Sequence, residues 1–313
     1  MNVTDHPENS PDVTCLGGAN VDYKLQLLQP HQPGTSNPVS TSRTFGGVIR
    51  NVATNLAQLG VKVSLMSLLG DDAAGDEMVA DCLPKMKMHA SEQVTGCVTG
   101  TYSAVLDQSG DLVAGYVDMA ISQLMNKDWI ERHRDHLRQA EWVVADCNIT
   151  SDAMESLLEL IKQDSRKLAI VTISEPKMKH LPQDLTGVTL LITNLAESKA
   201  YFQVTQTDAR QLAERWLETG LDNIIITDGT QPVTYGSKGH ILQQPVVKIP
   251  KQLVVDVTGA GDSFSAGAIY GLMNNHSLEQ SVAIATRLAA LTVQVAESVR
   301  SDVSIQEILE AVI

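Results

Sequence analysis

The sequence predicts an α/β fold built on a mostly parallel sheet covered on both faces, and three observations carry that expectation. Short apolar strand-like runs alternate with helical patterns through most of the chain. Those strands are apolar enough to be buried on both sides, as strands between two helical layers are. Two further segments mix leucine with polar residues and turn formers, which suits exposed strands rather than a core layer. With 313 residues, 43% of them hydrophobic, the chain can bury a large core. Aromatics contribute only 4%, so Leu, Val, Ile, Ala and Met must fill it.

The elements follow in order. Residues 1–11 are polar and read as a loose tail, with one domain over 12–313. Val13 to Leu16 is the first strand and runs into Gly17-Gly18-Ala19-Asn20-Val21-Asp22. From Tyr23 to Thr44, leucines alternate with polar residues, and prolines stand at 30, 33 and 38. Phe45 to Asn51 then leads into a helical pattern, Val52 to Leu59, closed by Gly60. Val61 to Leu69 reads as a strand and Gly75 to Lys85 as a helix. Gly100 to Gly115 reads as a hairpin about Asp107-Gln108-Ser109-Gly110 that continues to Tyr116-Val117. Trp129 to Arg138 is expected to be helical, Glu141 to Ala145 a strand and Ser151 to Gln163 a helix. Leu168 to Ile173 and Val188 to Thr193 are strands, Asp208 to Glu218 a helix and Asn223 to Thr227 a strand. A β-rich run, Val246 to Val257, ends in a small-residue turn, and an alanine-rich helical pattern begins at about Ser263. No repeat or low-complexity linker interrupts this order.

A formal net charge of −14 argues against nucleic acid or an anionic membrane surface as partner. No window reaches the ~20 apolar residues of a membrane span, and residues 1–11 lack the apolar core of a signal peptide. The cytoplasm is the expected location. Cys15, Cys82, Cys97 and Cys147 show neither Cys-x-x-Cys spacing nor a partnering histidine cluster, so all four are expected to be reduced thiols. His133 and His136 stand three apart among Glu131, Arg132, Arg134 and Asp135. A solvated helix face is the expectation there, rather than a metal site.

Asp256-Val257-Thr258-Gly259-Ala260-Gly261-Asp262 is the most informative stretch. Two glycines and an alanine let the backbone pass close to a ligand. Turn amides and the positive end of the following helix make an anion site. Asp262 at its edge is a carboxylate able to take a proton from an attacking hydroxyl, while an Asp at this place can also simply cap the helix. Anion hole and adjacent base together are what phosphoryl transfer to an alcohol needs. Far upstream, Phe45-Gly46-Gly47-Val48-Ile49-Arg50-Asn51 offers paired glycines and an Asn that can both donate and accept toward a hydroxyl-rich ligand. One site assembled from both ends of the fold is the implication.

These two motifs resemble the two signatures of the ribokinase-type (PfkB) sugar and nucleoside kinases. The resemblance covers nearly the whole chain from Val13 onward, with the motifs in the family's order. Within the family, Gly46 to Ala53, Val117-Asp118-Met119 and Val143 to Ile149 are most similar to the pseudouridine kinase branch. The resemblance implies a ribokinase-like three-layer α/β/α sandwich with a small β-sheet lid over about 20–45 and 98–120, a lid that often builds a homodimer. Some relatives carry a DNA-binding helix-turn-helix in front, for which the dozen residues before the first strand leave no room here.

It also implies roles. Asp262 would be the base, with Gly259, Ala260 and Gly261 supplying amides to the transferred phosphoryl group, and Asp256 would support that loop. Asn20, Asp22, Gly46, Gly47 and Asn51 would surround a ribose ring; turn capping by Asn20 and Asp22 is the plain alternative. Asn194-Leu-Ala-Glu197 matches the family's Asn-x-x-Glu element, in which Asn194 and Glu197 would hold Mg²⁺ through water. An ordinary helix start accounts for the same two residues. Thr227, Gly229, Thr258 and Thr286 would meet ATP, though Pro232 stands where the family usually has a second glycine. Glu297 to Asp302 lacks the usual glycine-bearing cation loop, so a monovalent cation is not specified. Asp118, Asp146 and Asn148 are the candidates for reading a nucleobase, with a turn-closing Asn as the alternative for Asn148. Arg50 serves either the pocket, a phosphate or an acidic neighbour. The expected reaction is transfer from ATP·Mg²⁺ to the 5′-hydroxyl of pseudouridine. The alternatives are a kinase for another nucleoside or a sugar, and a non-catalytic nucleoside-binding member of the family.

Overall fold

The computed structural model describes residues 10–312; most of the expected N-terminal tail lies outside them. In chain order the elements are β1 (Val13–Leu16), β2 (Asn20–Leu27), β3 (Val39–Gly46), α1 (Val48–Gln58), β4 (Val63–Met66), β5 (Leu68–Gly70) and α2 (Ala73–Cys82). Then come β6 (Glu92–Val94), β7 (Thr101–Leu106), β8 (Leu112–Asp118), α3 (Lys127–Arg132), α4 (Arg134–Leu137), β9 (Trp142–Asp146), α5 (Ser151–Asp164) and β10 (Lys167–Val171). The remainder comprises β11 (Leu190–Asn194), α6 (Leu195–Phe202), α7 (Ala209–Glu218), β12 (Asn223–Thr227), β13 (Val233–Ser237), β14 (His240–Gln244), α8 (Ala260–Met273), α9 (Leu278–Thr292) and α10 (Ile305–Glu310).

The large sheet runs β14-β13-β12-β11-β10-β9-β1-β4. Every pairing from β12 to β4 is parallel, and β13 and β14 add an antiparallel edge. Successive strand residues point to opposite layers. Val13, Cys15, Val144 and Ala169 pack with α1, α8 and α9 on one face. Leu16, Val143, Ala145 and Leu168 pack with α3, α5 and α7 on the other. This is the three-layer sandwich that the alternating elements imply.

The strand order reverses beside β1, whose neighbours are β4 and β9. From β1 the chain winds outward to β4, then returns to β9 and winds the other way. Such a reversal leaves a crevice beyond the carboxyl ends of the two central strands. Over it stands a separate four-stranded sheet, β3-β2-β7-β8, the lid. Its β2–β3 register sets Asn20 opposite Gly46 and Asp22 opposite Thr44.

Several expected elements differ. Val61 to Leu69 is not one strand: β4 belongs to the large sheet, whereas β5 leaves it to pair with β6. Trp129 to Arg138 breaks into α3 and α4 at His133. Val246 to Val257 forms no strand. Pro250 and a short 3₁₀ turn over Lys251–Leu253 interrupt it, and Val255 and Val257 stand 61% and 69% exposed, so no sheet face rewards an extended run. The helix expected near Ser263 starts at Ala260, because Gly259 takes a left-handed conformation that caps it.

Candidate active site

The two glycine-bearing motifs meet in the crevice. Asn51, in the first turn of α1, donates from Nδ2 to Oδ2 of Asp262, the third residue of α8, at 2.7 Å across 211 residues of sequence. Local geometry brings the backbones together here. Gly47 has φ +96°, and a Cβ on it would lie 2.3 Å from the Gly18 carbonyl oxygen. Only glycine therefore lets α1 begin against the loop that follows β1. At the other motif, a Cβ on Gly259 would meet the Ser298 carbonyl oxygen at 2.0 Å, while Gly261 faces open space. The N–H of Ala260 donates to the Val257 carbonyl oxygen at 3.2 Å. Of the expected amides, that of Ala260 is thus spent within the turn, while those of Gly261 and Asp262 in the first turn of α8 have no intrahelical acceptor.

Asp262 is a strongly perturbed acid. Burial of its carboxyl group raises its pKa to about 7. The Asn51 hydrogen bond opposes that rise, and the nearby charges of Asp146 and Asp22 add to it. The residue keeps some contact with solvent, but the protein mass around its carboxylate makes burial the leading cause. A carboxylate poised near neutrality is matched to taking up a proton from an alcohol.

On the lid side, Asn20 Nδ2 donates to Asp22 Oδ1 at 2.5 Å. Asp22 packs so closely on Gly46 that a Cβ there would sit 2.1 Å from its Oδ2. Burial raises the Asp22 pKa, with the Asn20 hydrogen bond and the charges of Lys24 and Arg50 pulling the other way. Lys24, two residues on along β2, forms an ion pair with Asp256, whose Oδ1 accepts the Thr258 N–H at 2.8 Å and the Thr258 hydroxyl at 2.7 Å. The lid is thereby tied to the start of the Asp256–Asp262 turn. Burial works to raise the Asp256 pKa, but the bonds from Lys24 and Thr258 outweigh it and hold the carboxyl low.

Beneath the crevice, Asp146 is fully buried at the end of β9 and accepts three N–H groups. They come from Gly18 at 3.1 Å, the Asn148 backbone at 2.9 Å and Asn148 Nδ2 at 3.0 Å. Burial raises its pKa against those bonds. Asn148 thus spends one amide N–H on Asp146 and keeps its second N–H and Oδ1, the donor and acceptor expected of it. Gly18 is pressed against this amide, with a Cβ there only 2.2 Å from Asn148 Nδ2.

Val48, Thr172, Thr193, Asn194, Glu197, Thr227, Gly261 and Asp262 line a cleft of about 160 Å³ that opens beside α8. Asn194 caps α6 through Oδ1, which accepts the Glu197 N–H at 2.8 Å, and Glu197 Oε2 accepts the Asn194 N–H at 3.1 Å. The helix-start reading of this pair holds. Glu197 is also 4% exposed and takes the Thr172 hydroxyl on the same Oε2. Its hydrogen bonds gather on one oxygen, leaving Oε1 without a protein partner among the described residues. A single buried carboxylate of this kind fits a water-mediated hold on Mg²⁺, which retains most of its own waters.

Other expected positions lie outside the cleft. Gly229 and Thr258 are exposed and do not line it. Thr286 is 5% exposed inside α9, and its hydroxyl donates to the Ala283 carbonyl oxygen at 2.9 Å. Asp118 is exposed at the end of β8, and its neighbour Met119 is the residue that packs against Gly100 beside Asn20. His133 and His136 are half-buried rather than solvated. His133 Nε2 lies 3.3 Å from Glu92, and His136 Nε2 lies 2.9 Å from the Ser64 hydroxyl. No cluster of metal-binding side chains occurs among the described residues. Cys15, Cys82 and Cys147 are buried free thiols, and Cys97 is a half-buried one. A larger cavity, about 590 Å³, lies away from all these groups, between Glu175–Gln183, α6 and α7.

Sequence reasoning passes over Lys24, Thr172 and Thr193. Lys24 carries a readable signal, since residues two apart on a strand share a face and Asp22 is itself a candidate. The two threonines carry none: only parallel pairing sets the end of β10 beside the end of β11.

The pfkB family carbohydrate kinase profile matches residues 10–304. The chain is 26% identical over 308 residues to the pseudouridine kinase of Escherichia coli K12, covering 96% of each. It is 29% identical over 286 residues to the uncharacterized sugar kinase YeiI of the same organism, covering 88% of this chain and 76% of that one. Its fold matches that of Arabidopsis thaliana ribokinase, solved with ribose and ATP, at a TM-score of 0.80 and 21% identity, over 96% of this chain and 99% of that one. The chain belongs to the pfkB family of carbohydrate kinases.

Proposed function

We propose that this kinase phosphorylates the 5′-hydroxyl of pseudouridine with ATP, in the cytoplasm. The observation that carries the proposal is the Asn51–Asp262 hydrogen bond at the N-terminus of α8. It occupies one oxygen of a carboxylate with a pKa of about 7 and leaves the other to accept the proton of an attacking hydroxyl. The ribosyl ring would lie between Asp22, Asn20 and the Gly46–Gly47 backbone, which supply partners for hydroxyls that lose their water. The acceptor Oδ1 of Asn148 favours a base that presents an N–H, as uracil does. The amides of Gly261 and Asp262 would receive the charge of the transferred group, reinforced by the helix dipole. Glu197 and Asn194 would hold Mg²⁺ through water, and that ion, when bound, neutralises charge on the phosphates. The lid, joined to the turn by Lys24, would exclude water from the reacting groups.

The same reading includes a homodimer through the lid. Leu112, Tyr116 and Val117 on its outer strand are 59%, 64% and 67% exposed, which leaves apolar side chains along a free sheet edge that a second copy could cover.

Coupled ADP release with ATP and Mg²⁺ tests the reaction, with pseudouridine, uridine, adenosine, guanosine and ribose as acceptors. Turnover on pseudouridine well above the rest, abolished in Asp262→Ala, is the expected result. Preference for another acceptor would keep the chemistry and overturn the role given to Asn148. Binding without turnover on any acceptor would favour a nucleoside-binding member of the family.

A further inference from the structure

Arg50 is 6% exposed, so its cation is nearly removed from water, and such a group normally has a task beyond solubility. It sits in the first turn of α1, one residue before Asn51. Its Nη2 forms an ion pair with Asp81 at 2.5 Å, and its Nη1 donates to Asn51 Oδ1 at 3.1 Å and to the Phe45 carbonyl oxygen at 3.3 Å. Its guanidinium also lies over the Phe45 ring, 5.9 Å from the centroid. Asp81 does not depend on Arg50 alone, because Lys85 reaches its other oxygen at 2.8 Å.

The chain Asp81–Arg50–Asn51–Asp262 has one chemical direction. An Asn amide between a guanidinium and a carboxylate satisfies both only with its oxygen toward the cation and its NH₂ toward the anion. Turned over, it would set donor against donor and oxygen against oxygen. Asp262 alone could draw the NH₂ group, but the carboxyl protonates near neutrality and then can itself donate, so its hold on the amide weakens when the site takes up a proton.

We infer that Arg50 is a positioning residue of the phosphoryl-transfer site, locking the Asn51 amide so that Nδ2 always donates to Asp262. This rests on the reading of Asp262 as the base. The lock keeps one carboxylate oxygen occupied and directs the other toward the acceptor hydroxyl. The Arg50 charge itself acts on Asp22, so its hold on Asp262 runs through the Asn51 amide. Asp22 acts on Asp262 from β2 and Asp146 from the end of β9, and Glu197 on α6 lines the same cleft, while Asp256 in the preceding turn is paired with Lys24.

Carboxylate ¹³C titration of Asp262 in the full chain tests the lock without relying on turnover. The comparison uses wild type, Arg50→Met, Arg50→Lys, Asp81→Asn, Asn51→Ala and the Arg50→Met/Asn51→Ala pair. Losing Arg50 should raise the Asp262 midpoint by roughly half a pH unit or more, because the hydrogen bond to the ionised form is no longer held. The double variant should titrate like Asn51→Ala alone, and Arg50→Lys should fall between Arg50→Met and wild type. Asp81→Asn should lower thermal stability yet leave the midpoint in place. If turnover is present, the acid limb of kcat/KM should move with the midpoint, and kcat/KM at pH 7 should fall by at least about twofold in Arg50→Met. An unmoved midpoint in Arg50→Met, or shifts that add in the double variant, would overturn the inference. Absence of turnover in wild type would count against the proposed reaction, and the titration would still decide the role of Arg50. Should Arg50→Met fail to fold, Arg50→Lys and the Asn51 side-chain amide signals decide. A wild-type midpoint and wild-type amide exchange protection in Arg50→Lys, whose ammonium has no guanidinium fork to bridge Asp81 and Asn51, would overturn it too.

Discussion

Asn51 and Asp262 are joined by a 2.7 Å hydrogen bond although 211 residues separate them. One belongs to the first turn of a helix near the chain's beginning, the other to the first turn of a helix near its end. The contact makes the base and the acceptor-binding motif a single unit, so changes at either should be felt at the other.

Replacing Asp262 by Asn removes the proton acceptor while keeping the shape. A kcat loss of about 10³-fold with little change in acceptor KM is expected in steady-state assays. Stability should respond in the opposite sense. The folded carboxyl has a raised pKa, so wild type loses stability as pH rises from the unfolded value of 3.8 through about 7. At pH 8 the variant should be the more stable by on the order of 1 kcal/mol in thermal melts, and that advantage should vanish near pH 4.

Activity should follow the same group. The base works only when ionised, so kcat/KM for the acceptor is expected to rise to a plateau with a midpoint near pH 7, about 7 being the folded pKa of Asp262. A midpoint near 4 would mean that Asp262 is not held at the raised value or does not take the proton.

The adjacent glycines should fail differently. The nearest atoms to a Cβ at Gly46 belong to the Asp22 carboxylate, the end of a side chain that can shift at the cost of its Asn20 hydrogen bond. Gly46→Ala is expected to fold and to raise the acceptor KM about tenfold or more with the ATP KM unchanged. At Gly47 the obstacle is backbone and φ is +96°. Gly47→Ala should therefore cost at least about 2 kcal/mol in chemical denaturation.

Lys24→Met breaks the ion pair between the lid and the turn. With its side chains 33% and 24% exposed, the pair should contribute less than about 1 kcal/mol to global stability. Its effect should be kinetic: a several-fold loss in kcat/KM and more ATP hydrolysis without acceptor, because the lid no longer excludes water. Wild type in roughly 0.5 M salt should shift partway toward the same behaviour.

Much of this is legible in the residues. Alternating apolar strands and helices require the two-faced parallel sheet, and the order of the two glycine-bearing motifs points to the family. Asp262, Asn51, Gly47 and Asp22 stand out because each combines a polar group or backbone freedom with a place at an element's end. Val246 to Val257 misleads, since β-branched composition marks a strand only when a partner edge and a face to bury are available. Thr286 lies on α9, and one residue's rotation on a helix decides whether a hydroxyl meets a cleft or its own backbone.

By itself the sequence determined the alternation that builds the sheet, the two glycine-bearing motifs each followed by a helix and the chemistry available at them, because local pattern and residue type suffice for these. Only the tertiary structure decided which charges meet. Parallel pairing gathered Asp146, Glu197 and Thr172 at the strands' ends, and the lid's fold laid Lys24 on Asp256. Burial then moved Asp262 toward neutrality, and burial is a property of everything packed around a residue, which no stretch of neighbouring sequence contains.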